Sequence, residues 1–302
     1  MLRLVRRHGP ITRAQLGQRA RLSASQVSRL TGELIEQGLI ETEREPATGR
    51  NRPADRLSLA RVPHATIGLD IGGMRQQAVV ANLRGEVIAS IEDAANLAVE
   101  REALVDYLEG LIQRVLAASA VEQGCVLGLG VAFRAIVDPA RGVITRGPEA
   151  PFWTNSWTDL AIRRLLAERF PWERIAVDDT VRVLGLAEAR YGLGVREGDF
   201  VYVLADTGIG SALMINAKPY IGQNRVGGEL GHLTIDPVGP VCACGKRGCI
   251  ETYASSRALL DRAAQLLSHR AASIHELIGL AEFVRPEADC GRRRARGLRR
   301  LS

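Results

Sequence analysis

The chain has 302 residues, 46% of them hydrophobic and 25% charged, a composition that fits a globular protein of more than one domain and excludes wholesale disorder. No stretch approaches the ~18 apolar residues of a membrane span, and the N-terminal MLRLVRRHGPITRAQ lacks the apolar run and cleavage site of a secretion signal, which predicts a cytoplasmic protein. The net charge of +6 is concentrated: residues 1–62 hold 12 Arg against 6 acidic residues, residues 291–302 hold 6 Arg and no acid, and the stretch between is left at −6. Positive charge confined to the ends is what a polyanion reads.

Apolar periodicity predicts helices over residues 2–7, 13–20 and 24–37, with Thr12 and Ser23 as N-caps and Gly38 as the final stop. Residues 39–42 read as a strand, 47–53 as a Gly/Arg/Pro-rich bend and 55–59 as a second strand. This is the order of a winged helix-turn-helix. The third helix would enter the major groove and offer Ser25, Gln26, Ser28 and Arg29 to base edges and phosphates, while Arg50 and Arg52 on the wing touch backbone or minor groove. A small helical protein-interaction module with a solvated basic face is the competing reading. The ordered pattern TRAQLGQRARLSASQVSRLTGELIEQGLIE favours DNA.

At Pro63 the composition changes and a second domain is expected over residues 63–290, leaving 1–62 as the first and 291–302 as a disordered basic tail. The apolar run from His64 ends in Asp70-Ile71-Gly72-Gly73, and strands at 77–81 and 87–91 follow around a turn at 83–86. A helix over 101–120 and a strand over 126–132 come next. Three strands, a helix and a strand resemble the ribonuclease H-like half of actin-like sugar kinases, in which the Asp-x-Gly-Gly turn approaches phosphate because glycine lets the backbone come close. A second strand, Gly turn and strand, with Thr207, Gly208 and Gly210, spans residues 202–211 and suggests an internally duplicated fold with a cleft between its halves.

Five cysteines in a chain without a secretion signal argue against a disulfide framework. Three of them, Cys242, Cys244 and Cys249, follow His232 within eighteen residues, with Gly and Pro between. One imidazole and three thiols at this spacing match a closed four-ligand structural zinc site. Unpaired structural thiols and a redox dithiol are the alternatives.

DIGG at 70–73, TGIG at 207–210 and VGGELGHLTIDPVGPVCACGKRGCIETYAS at 226–255 together resemble the ROK family of repressors, open reading frames and sugar kinases, and the similarity runs from about residue 2 to about residue 285. The resemblance implies that zinc on His232, Cys242, Cys244 and Cys249 braces a sugar pocket in the loop 229–251. It also implies that Glu229, His232 and Glu251 contact sugar hydroxyls. A winged helix on this body belongs to the family's regulators, which implies a DNA operator, a sugar-type effector and a homodimer or higher homo-oligomer. The expected architecture is thus α/β: a winged helix-turn-helix, then a duplicated ROK sugar-kinase fold shortened at its C-terminus.

Departures from the family pattern bear on activity. Family kinases place a catalytic Asp in a Val-Glu-Asn-Asp segment eight residues before the Glu of a Gly-Glu or Ala-Glu pair. Counted back from Ala187-Glu188, this chain reads Val177-Asp178-Asp179-Thr180, which puts Thr180 at the base position. A hydroxyl without a nearby base does not take a proton from a sugar, whereas a carboxylate does. A one-residue slip would restore Asp179. Met74 replaces a Thr of the first phosphate turn, Asp206 a Gly of the second, Arg134-Ala135 a Pro-Gly, and Glu149 an Asn that faces the sugar. The Arg-rich stretch from Gly291 has no apolar period and reads either as a truncation or as a basic tail that assists DNA binding. The expected function is a DNA-binding regulator, a repressor of carbohydrate-related genes with a catalytically impaired sugar-sensing body. The alternatives are an ATP-dependent sugar kinase with Asp179 as base, and a truncated paralogue that does neither.

Overall fold

The computed structural model describes residues 1–44, 55–72, 75–94, 100–147, 157–267 and 273–283. Helix α1 (Leu2–His8), strand β1 (Ile11–Thr12), helices α2 (Arg13–Ala20) and α3 (Ala24–Glu36), and strands β2 (Ile40–Arg44) and β3 (Asp55–Leu59) form the N-terminal winged helix. Both expected caps are present as reciprocal capping boxes. The Thr12 and Ser23 hydroxyls accept the N–H of Gln15 and Gln26, and each glutamine returns its Oε1 to the cap's own N–H. Gly38 closes α3 at φ +66°, with the N–H of Leu39 bonded to Leu34 O at 2.9 Å. Val5, Ile11, Leu16, Val27, Ile40 and Leu57 form one core beneath these elements.

Strand β1 was not expected. Two residues are too short for a period, yet Ile11 pairs with Leu57 and Thr12 with Arg56, so the ribbon becomes a three-stranded sheet in the order β1-β3-β2. The bend carrying Arg50 and Arg52 lies outside the described residues.

The body opens with β4 (Ala65–Ile71), β5 (Arg75–Asn82) and β6 (Val87–Ala94), an antiparallel meander in which β5 exceeds its expected run at both ends and β6 at its C-terminal end. Helix α4 (Arg101–Ser119), β7 (Val126–Phe133), β8 (Ile136–Asp138), β9 (Val143–Arg146), α5 (Ile162–Arg169), β10 (Ile175–Asp179) and α6 (Thr180–Tyr191) follow. Strands β4, β7 and β10 run parallel, and the five-stranded order is β10-β7-β4-β5-β6. This is the ribonuclease H-like arrangement expected. Every second residue of β4 points into a core shared with Leu104, Leu108, Leu111, Ile112 and Val115 of α4.

Strands β11 (Phe200–Ala205), β12 (Ile209–Ile215) and β13 (Lys218–Pro219) form a further sheet in that order, and α7 (Glu251–Ala254), α8 (Ser256–Leu267) and α9 (Ile274–Phe283) complete the described elements. Contacts divide the chain into two units. The first is Met1–Tyr202 with Ala212–Gly227; the second is Val203–Ser211 with Gly228–Ser302. No helix among the described residues is long and apolar enough to cross a membrane. The basic tail lies outside those residues.

Leu16 is fully buried in the winged-helix core. Its truncation in Leu16→Ala is expected to cost ~2–5 kcal/mol, and Ser23→Ala about 1 kcal/mol through the lost cap. Urea unfolding of both variants checks the order; equal midpoints would contradict the packing described.

Candidate functional site

In the first unit, three strand ends meet. The parallel register pairs Ile71 with Phe133 and Asp179 with Phe133, so Asp70, Gly72, Arg134 and Thr180 converge at one sheet edge although Asp70 and Thr180 are 110 residues apart. Thr180 Oγ1 donates to Asp70 Oδ1 at 3.2 Å. A Cβ on Gly72 would stand 2.5 Å from that hydroxyl oxygen and 3.2 Å from Arg134, which explains glycine here by close approach. Burial pushes the Asp70 carboxyl above its ordinary range, partly offset by the Thr180 hydroxyl and the Gly72 N–H.

Asp179 serves α6. Its Oδ1 accepts the N–H of Arg182 at 3.0 Å, the N-cap bond of that helix. Asp178 accepts Arg182 Nε at 2.7 Å, and the same guanidinium reaches Val137 O at 3.0 Å and Arg225 O at 3.2 Å. Arg225 in turn pairs with the buried Asp138 at 2.8 Å. This network was missed in the sequence. Its one visible signal is the i,i+4 spacing of Asp178 and Arg182. Gly73, Met74 and Glu149 lie outside the described residues.

The second unit holds the other turn. The Asp206 N–H bonds to Gly208 O at 2.9 Å, and Asp206 O accepts the N–H of Ser256 at 2.8 Å. The Ile209 N–H just past Thr207 and Gly208 donates to Glu251 Oε2 at 2.8 Å. Gly210 follows in β12. A Cβ on Gly231 would stand 2.1 Å from Ile209 O. The turn is therefore clasped by the single 3₁₀ turn Leu230–His232 and by the start of α7.

Adjacent to it, His232, Cys242, Cys244 and Cys249 place one ligand atom each within 4.8 Å of one another, a set that could hold a metal ion. In a tetrahedron with metal–sulfur bonds of ~2.3 Å, neighbouring sulfurs stand ~3.8 Å apart. The observed separations are 3.6 Å from Cys244 Sγ to Cys249 Sγ and 3.6 Å from Cys242 Sγ to His232 Nδ1. Burial, then the crowding of the other two thiols, pushes Cys242 up to about 12. Burial raises Cys249 as well, while Cys244 is lowered; three crowded thiols become thiolates together only against a cation, so the donor set fits a metal better than free cysteine. The loop is shaped for this. Cys242 N–H bonds to Lys246 O at 2.8 Å, Lys246 Nζ bonds to His232 O at 2.6 Å, and Tyr253 Oη holds Asp236 at 2.9 Å. The second imidazole nitrogen, Nε2, stands 3.8 Å from Glu229 Oε2.

On the winged helix, Ser25, Gln26, Ser28 and Arg29 are exposed along the first half of α3. Gln26 Oε1 is engaged by the Ser23 N–H at 2.9 Å, and Arg29 pairs with Glu33 at 2.7 Å. An exposed i,i+4 pair is worth only ~0.3–0.5 kcal/mol and yields readily to a phosphate.

Comparison with known proteins places this geometry. Residues 66–295 match the ROK family and residues 1–51 the MarR family. The chain belongs to the ROK family, and its first domain is a MarR-like winged helix-turn-helix. It is 28% identical over 254 residues to the xylose repressor of Caldicellulosiruptor bescii, covering 83% of this chain and 61% of that one. It is 29% identical over 276 residues to the DNA-binding transcriptional dual regulator NagC of Escherichia coli K12, covering 88% of this chain and 64% of that one. The chain thus spans under two thirds of these relatives. Its fold matches a ROK family transcriptional regulator, a homolog of the E. coli MLC protein, with TM-score 0.75 at 23% identity over 94% of this chain and 73% of that one. A ROK family glucokinase from Streptomyces griseus, solved with glucose and AMPPNP, matches with TM-score 0.58 at 27% identity over 68% of this chain and 61% of that one.

Gly248 takes φ +61°, and a Cβ there would stand 1.7 Å from Asp236 O. Gly248→Ala is expected to strain the loop by roughly 1–3 kcal/mol from the backbone alone, with the clash in addition. Thermolysin digestion of the folded chain checks this: cleavage within the loop 236–249 should become faster than in wild type.

Proposed function

We propose that the chain is a DNA-binding transcriptional regulator, a repressor of carbohydrate-related genes, whose ROK body senses a sugar or sugar derivative without phosphorylating it. The observation that carries this reading is the combination of a winged helix with an exposed polar α3 face and a ROK-family body on one chain. The names of two relatives, a xylose repressor and a DNA-binding transcriptional dual regulator, support it. In this reading residues 1–62 bind DNA, residues 63–290 bind the effector and residues 291–302 add a basic tail. Ser25, Gln26, Ser28 and Arg29 approach the major groove, with Arg50 and Arg52 from the wing. Glu229, His232 and Glu251 contact the sugar, as the family resemblance implies, and the two glycine turns are vestiges of nucleotide phosphate binding. The protein works in the cytoplasm as a homodimer or higher homo-oligomer, because paired half-sites require paired recognition helices.

Zinc is the metal we assign to His232, Cys242, Cys244 and Cys249, on the thiolate-rich donor set and tetrahedral spacing. It supplies a structural crosslink that fixes the loop beside Glu229 and Glu251. Metal analysis should return one zinc per chain, and Cys249→Ser should lose it and lower the thermal midpoint; a metal-free wild-type chain of unchanged stability would remove the assignment.

A mobility shift on DNA from around the protein's own gene, at fixed salt and with excess competitor DNA, tests the regulator. A competitor-resistant complex is expected, weakened by Arg29→Ala and released by a member of a sugar panel. A smear abolished by competitor would mean phosphate attraction alone.

The rival kinase reading makes Asp179 the base. That carboxylate caps α6 instead, so no sugar-dependent ADP formation is expected from ATP. Turnover abolished by Asp179→Asn would restore the kinase.

A further inference from the structure

The turn between β5 and β6 lies against the ribbon of the winged helix. Asn82 shapes it: Oδ1 accepts the N–H of Arg84 and of Glu86 at 3.0 Å each, and Nδ2 donates to Glu86 at 2.8 Å. Gly85 follows at φ +83°. This holds Arg84 at the tip with its side chain only 18% exposed. Its Nη2 lies 2.6 Å from Glu41 Oε1, 2.5 Å from Glu43 Oε1 and 2.8 Å from Ser58 Oγ, and its Nε donates to Leu59 O at 2.7 Å. One guanidinium of the body therefore grips both strands of the ribbon, β2 and β3.

The partners are matched to it. Glu41 and Glu43 alternate along β2 and so share a face, where two carboxylates without a cation would repel. The Arg84 guanidinium, with the Ser58 hydroxyl, holds Glu43 below the usual carboxylate range. Ser58 also donates to Glu43 at 3.0 Å, and the Arg61 N–H donates to Glu41 Oε2 at 3.1 Å. The linker is tied as well: His64 Nε2 stands 2.7 Å from Gln37 O at the end of α3. Two of the six acidic residues of an otherwise basic domain are thus turned toward the body, and α3 presents its exposed first half elsewhere.

We propose that Arg84 is a positioning residue for DNA binding, which locks the winged helix to the body so that the body, and not the linker, sets the angle of the recognition helix. The proposal rests on the regulator reading above. Arginine suits the task better than lysine, since a planar fork reaches two carboxylates, a hydroxyl and a carbonyl at once while an ammonium is a single point. A rearrangement of the strand edge from which the turn projects would reach the ribbon through these bonds, as rigid-body switching requires.

The test is ¹⁵N relaxation on the full chain, comparing amides of α3 with those of α4. Wild type should show one shared tumbling time. Arg84→Met, and Glu41→Gln with Glu43→Gln, should lose it, with α3 amides tumbling faster while keeping native chemical shifts. Arg84→Lys should retain part of the coupling, and Arg114→Met, which breaks an exposed pair with Asp93 elsewhere, should change nothing. Specific DNA affinity of Arg84→Met should fall about tenfold, the scale of one or two charge-assisted hydrogen bonds. Shared tumbling in Arg84→Met, separate tumbling in wild type, loss of α3 shifts, or separated domains with unchanged affinity would each overturn the proposal. If wild type forms no competitor-resistant complex, the regulator reading fails and relaxation alone decides whether the lock exists.

Discussion

The parallel alignment of β4, β7 and β10 is the constraint from which the first unit follows. Because all three strands end at one level, the residues just past them are delivered side by side: Gly72, Arg134 and Thr180. The ladder that builds the core therefore also decides which side chains meet at its edge. In an α/β sheet this carboxyl end is the usual place for a ligand. Here the meeting is crowded, with a hydroxyl on a carboxylate and the backbone and Cβ of Arg134 against a glycine. Such an edge is suited to holding a fixed arrangement.

The second unit depends on a different device. Its loop 232–249 buries few large side chains, and Leu233, Ile235, Val238 and Val241 are exposed. A segment with so little apolar burial needs another source of order. Three thiols and an imidazole close enough to hold one metal ion would supply it, and the clasp of Gly231 and Glu251 on Ile209 would carry that order to the glycine turn. The candidate ligand cluster and the turn are consequently one construction.

What the sequence disclosed was whatever is local. The N-caps at Thr12 and Ser23, the stop at Gly38 and the Cys-x-Cys-x₄-Cys loop each lie within one turn or one hairpin, and each is found where the pattern put it. Strand β1 escaped because two residues carry no period and it exists only through its pairing with Leu57 and Arg56. Arg84 escaped for a related reason. On the page it is a turn residue between two strands, and its partners stand 25 to 43 positions away. The contact of Thr180 with Asp70 spans 110 residues, and only the family pattern drew attention to Thr180. The role of Asp179 could have been read from chain order, since an acidic residue directly before a helix is a cap before it is anything else.

Gln26 answers to two demands at once. It sits among the residues of α3 that face outward, yet its Oε1 closes the helix on Ser23. Only glutamate would keep that closure, and glutamate would bring a negative charge toward phosphate. In a regulator of the proposed kind, evolutionary drift in operator preference is then channelled. Position 26 is frozen by the helix it begins, and new specificities must arise at neighbours such as Ser28, where Thr31 uses only the backbone carbonyl. Paralogues with different operators should therefore share the glutamine and differ around it.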